Sequence, residues 1–85
     1  MDHSTLTGRQ IAAARALVGL PQAEVAARAN ISVPTLKRME ASEGPAAGLA
    51  NNVAAVMHAL EAAGVIFVAE NGEGPGVRLR KGPAT

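Results

Sequence analysis

An 85-residue chain with eight Lys and Arg against seven Asp and Glu has room for one domain and a net charge of only +1. One small core must therefore hold it, and any nucleic-acid affinity must come from where charge is placed, not from a global positive field. Without cysteine it can form neither disulfides nor zinc ribbons.

Alanine dominates an apolar content of 48%; it favours helix but fills little volume, so the helices must approach closely. The first residues are acidic rather than basic, and Arg15 breaks the apolar run that follows them. No stretch nears the length of a membrane span, so no membrane partner is expected and the expected location is the cytoplasm.

Residues 1–6 read as a loose N-terminus. Thr7 can cap a helix over Gly8–Val18, which Gly19 ends. Ile11, Ala14 and Val18 make its inner stripe, and Arg15 falls beside that stripe, where an unpaired cation would be costly unless it reaches water. A second helix over residues 21–29 opens with Pro21 and carries Ala23, Val25, Ala26 and Ala29 as its apolar stripe. Asn30 suits the left-handed residue that stops it, and Ile31 pins the turn. Ser32 caps a third helix with Pro34 in its first turn. Leu36 and Met39 point inward, leaving Val33, Pro34, Thr35, Lys37 and Arg38 outside as a face with two cations and a rigid apolar tip.

A turn-rich stretch follows Glu40, then a helix over residues 49–63 with Leu49, Val53, Val56 and Leu60 on one side and Gly64 closing it. Asn51, Asn52, His58 and Glu61 lie on or near the other side. Residues 64–81 read as a β-hairpin, and residues 82–85 as a flexible tail. The glycines of its loop do not make a phosphate-binding loop, because Pro75 interrupts them, no lysine follows and a strand comes next. Val65 and Phe67 face one way on the first strand, Ile66 and Val68 the other, so both faces are apolar. One helical domain can cover one face, and a second copy joined through Val65, Ile66, Phe67, Val68, Val77 and Leu79 would cover the other. The alternative is a hairpin folded back on its own helices in a monomer.

A turn of only about four residues sets these two helices at a steep angle, the geometry by which a helix-turn-helix projects its second helix into a major groove. Gln22, Ala23, Glu24, Val25, Ala26, then Asn30, Ile31, Ser32, then Leu36 and Glu40 resemble the helix-turn-helix of the lambda Cro and phage-repressor (XRE-like) regulators over about residues 11–60. The resemblance implies a mainly α fold, a four- to five-helix lambda-repressor-like DNA-binding domain over residues 7–63 followed by the hairpin. It implies base reading by Val33, Pro34, Thr35 and Arg38, and an internal ion pair between Arg15 and Glu40. Gln22, Arg9, Ser32, Lys37, Asn51 and Asn52 are the expected phosphate contacts, with solvated polar residues as the alternative for the two asparagines. Arginine suits guanine, and Val33 and Pro34 suit a thymine methyl, so half-sites with neighbouring guanine and thymine are expected.

No catalytic constellation emerges. His3 and His58 lack acidic or thiol partners at ligand spacing, and Ser4, Ser32 and Ser42 sit in caps or loops, so neither a metal nor a cofactor is expected. The functional expectation is a homodimeric, sequence-specific regulator of double-stranded DNA, repressor rather than activator for want of a second domain to recruit polymerase. The alternative is an antitoxin-like module that masks a protein partner and binds DNA secondarily.

Overall fold

A computed structural model describes residues 1–82 of the chain. Residues 83–85, most of the expected tail, lie outside the described residues. A 3-10 turn, His3–Thr5, leads into α1 (Gly8–Val18), α2 (Gln22–Ala29), α3 (Val33–Glu40) and α4 (Ala50–Ala62), and the strands β1 (Val65–Val68) and β2 (Gly76–Leu79) pair antiparallel.

Local chemistry sets the helix ends. Thr7 Oγ1 accepts from the Gln10 amide at 3.0 Å while Gln10 Oε1 accepts from the Thr7 amide at 2.9 Å, so two free donors of α1 are satisfied reciprocally. Asn30 stops α2 in the left-handed conformation at φ 58°, and the Ile31 amide closes back on the Ala26 carbonyl at 3.0 Å. Ser32 Oγ accepts from the Thr35 amide at 3.2 Å and starts α3. Pro21 is the residue before α2 rather than its first, with an extended ψ of 159° and no side-chain acceptor to offer.

The core draws Ile11 and Ala14 from α1, Val25, Ala26 and Ala29 from α2, Leu36 and Met39 from α3, Val53, Val56, Met57 and Leu60 from α4, and Val65 and Phe67 from β1. The small side chains of α2 let it lie close against α4. Burying a side chain such as Leu36 or Leu60 stabilises the fold by about 1.5–3 kcal/mol.

Three apolar residues depart from expectation. Leu6, placed in the loose N-terminus by its sequence context, is fully buried, and its carbonyl accepts from the Ala46 amide at 2.8 Å. It precedes the Thr7 cap, and Ile11, also fully buried, is the fourth helical residue: these are the two positions of a hydrophobic staple. Leu49, expected inward, is 69% exposed, because it caps α4 in extended conformation before helical periodicity begins. Ala23 is exposed on the outer side of α2.

The hairpin register pairs Val65 with Leu79 and Phe67 with Val77, which puts these four on one face, and that face lies on α1 and α4. Val65, Phe67 and Val77, expected at a dimer interface, instead serve the protomer's own core. Ile66, Val68 and Leu79 keep exposed surface, Leu79 because it stands at the far end of its strand. Gln10, only 4% exposed, fastens the hairpin: its Nε2 donates to the carbonyls of Val68 at 3.1 Å and Gly76 at 2.9 Å. In the loop, the Gly72 and Gly74 amides donate to Glu70 Oε2 at 2.6 and 3.0 Å, so these amides wrap the chain's own carboxylate.

Candidate nucleic-acid interface

The turn between α2 and α3 holds three residues, Asn30, Ile31 and Ser32, and half-buried Ile31 anchors it to the core. With Leu36 and Met39 buried, the opposite side of α3 must face outward. Pro34, Lys37 and Arg38 are exposed there, and Val33 and Thr35 are half-buried. Thr35 Oγ1 lies 2.8 Å from Ser32 Oγ and accepts from Arg38 Nη2 at 3.3 Å, so Ser32, Thr35 and Arg38 form one chain of contacts. Among the described residues neither Lys37 nor Arg38 is ion-paired, whereas Arg28 on α2 is matched by Glu24 at 2.9 Å. The positive charge of the motif is thus concentrated on α3.

Behind this face, one polar network ties three helices together. Arg15 Nε donates to Glu40 Oε2 at 2.6 Å and Nη2 to Oε1 at 2.9 Å, while Nη1 donates to the Leu20 carbonyl at 3.1 Å. Gln22, the first residue of α2, donates through Nε2 to Glu40 Oε1 at 3.2 Å. The carboxylate of Glu40 raises the pKa of Arg15 above its ordinary value by hydrogen bonding, against the opposing effect of burial. Gln22 keeps a second Nε2 hydrogen and the free amides of an uncapped helix start, both of which suit a phosphate.

Asn51 is exposed and Asn52 half-buried in the first turn of α4. Gly48, just ahead, lies against Met39, which brings the start of α4 beside the C-terminal part of α3. Arg9 stands in the first turn of α1, beside the hairpin. It lines a shallow recess of about 240 Å³ with Thr7, Gln10, Ala13, Pro75, Gly76 and Val77, and its neighbour Gly8 abuts the end of α3 opposite Ser32.

A family model described as helix-turn-helix matches residues 11–57, from α1 into α4 and more than half of the chain. The chain belongs to the Cro/C1-type, XRE-like helix-turn-helix family. No curated protein matches it. Membership makes this helix-turn-helix protein a DNA-binding transcription regulator of lambda-repressor-like fold, with α2 and α3 as the motif, and the family is not generally enzymatic. The hairpin lies outside the match. No described helix is long and apolar enough to cross a membrane.

Two links between elements are not visible to local pattern. The hold of Gln10 on the hairpin joins groups 58 and 66 residues apart, and local pattern shows only its half of the Thr7 capping box. The link of Gln22 to Glu40 depends on how α2 and α3 cross, which no local spacing reveals.

Proposed function

We propose that this helix-turn-helix protein represses transcription by binding a palindromic operator as a homodimer. The observation that carries the reading is the outer face of α3, where Lys37 and Arg38 have no carboxylate partner among the described residues and stand beside the apolar tip of Val33 and Pro34. Arg38 offers a planar fork to guanine O6 and N7, and the apolar tip suits a thymine methyl at a neighbouring step. Ser32, Lys37, Gln22, Asn51 and Asn52 supply donors for the flanking phosphates, which fix register without reading sequence. Repression follows from occupancy, because a bound dimer covers DNA that polymerase needs.

The dimer is supported by two features. One recognition helix on a domain of net charge +1 has few phosphate contacts, and a second copy doubles them. The hairpin, after covering the core, still leaves Ile66 at 37% exposure and Val68 half-buried on its outward face. A two-fold axis at the hairpin would set two recognition helices about 34 Å apart, one turn of DNA.

Selection from random duplex DNA tests the reading, with sedimentation of the same protein at micromolar concentration. A two-fold symmetric consensus with guanine and thymine at neighbouring steps in each half, bound by a dimer, is the expected result. A monomer at that concentration contradicts the dimer, and recovery of no preferred sequence contradicts the operator reading.

A further inference from the structure

Ser32, Thr35 and Arg38 stand three residues apart in succession, and their side chains form a continuous hydrogen-bonded chain. Thr35 is its middle member. Its Oγ1 accepts from Arg38 Nη2 at 3.3 Å and lies 2.8 Å from Ser32 Oγ, which in turn accepts from the Thr35 amide at 3.2 Å and so caps α3. The Thr35 hydroxyl therefore has a protein partner on each side. Whichever of the two hydroxyls donates to the other, one hydroxyl hydrogen of the pair is left over for an outside acceptor.

We propose that Thr35 is a positioning residue for Arg38: anchored on the Ser32 cap, its hydroxyl aims the guanidinium at the guanine that Arg38 reads. This rests on the DNA-binding reading above, and it changes the part of Thr35 from reading a base to supporting the reader. An exposed arginine samples many rotamers, and fixing one of them on binding weakens the complex. A hydroxyl that already biases the fork reduces that loss. Thr35 takes one of five guanidinium N–H groups, and guanine O6 and N7 need two, so the contact and the base are compatible. At 3.3 Å the contact biases the fork without locking it, and its removal should have a modest effect.

Two substitutions separate this role from helix stability. Thr35→Val keeps the β-branched shape and removes the hydroxyl, whereas Thr35→Ser keeps the hydroxyl. On the duplex the parent selects, Thr35→Val should bind about two- to tenfold more weakly. The loss should fall at the one base step that Arg38→Ala relaxes, and Thr35→Ser should restore discrimination there. In an Arg38→Ala background, Thr35→Val should change nothing further at that step. A purely structural role would instead lower the melting temperature and weaken all sequences alike. An unchanged profile for Thr35→Val, a loss at another step, additivity with Arg38→Ala, or no rescue by serine would each overturn the proposal and leave DNA binding standing. A parent protein that selects no sequence would overturn the underlying reading itself.

Discussion

Glu40, the last residue of α3, grips Arg15 of α1 at two points, with the side chains only 9% and 22% exposed. Removing the carboxylate leaves a partly buried cation without its partner, which is worse than losing a surface pair. Glu40→Ala should therefore destabilise by about 3–5 kcal/mol. For a domain of this size each kcal/mol lowers the melting temperature by about 4–8 °C. Glu24→Ala is the control: its pair with Arg28 is about half exposed and is worth about 1 kcal/mol or less. Equal melting shifts would mean that Arg15 finds water instead.

The same pair has a defined pH behaviour on its cationic side. Arg15 is held above its ordinary value, so its contribution is complete at every pH below that value and is lost only as pH rises through the raised one. Deprotonation of Arg15 thus adds no pH dependence through the neutral range.

Gln10 links α1 to the ends of both strands through partners 58 and 66 residues away in the chain. Gln10→Leu keeps similar bulk but cannot donate to the Val68 and Gly76 carbonyls, nor complete the Thr7 cap. A loss of about 1–3 kcal/mol is expected. Amide exchange should place it: hairpin amides lose protection while those of α2 and α3 keep theirs. Undiminished protection at the hairpin would show that its apolar face alone holds it.

Gly8 reverses a general rule. Glycine to alanine in a helix usually stabilises by about 0.5–1 kcal/mol. Here a Cβ would collide with the Met39 carbonyl and lie 2.8 Å from the Ser42 carbonyl, so α1 can pack on the end of α3 only without one. Gly8→Ala should destabilise by about 1–3 kcal/mol. Gly44→Ala, which meets nothing within 4 Å, should fall within about 0.5 kcal/mol of the parent. Chemical denaturation of the two variants decides; a stabilised Gly8→Ala would refute the close contact.

What the sequence disclosed was mostly local. Thr7, Gly19, Asn30 and Ser32 mark helix ends through chemistry that acts within a few residues, so the four helices could be placed within a residue or so. The outer face of α3 was legible for the same reason, since burial of Leu36 and Met39 fixes it by periodicity. Other features depend on partners far along the chain. Alternation shows that β1 has two apolar faces but cannot say which one α1 and α4 cover, and so it could not separate Val65 and Phe67 from Ile66. A charge in the first turn of a helix does not say which neighbour it faces, so the place of Arg9 beside the hairpin is not legible from spacing. Leu6 and Leu49 both border helices, and only the tertiary fold buries the first and exposes the second.

In the proposed function, α3 reads bases through Arg38. The most direct measurement of this role is a titration of the parent and Arg38→Ala against the selected duplex and each of its single-base variants, at one fixed salt concentration because phosphate contacts make affinity salt-dependent. Arg38→Ala should lose about 1–3 kcal/mol on the preferred duplex and become indifferent to the base at one step of each half-site. Equal affinity of the two proteins for the preferred duplex, with discrimination intact at every step, would contradict it.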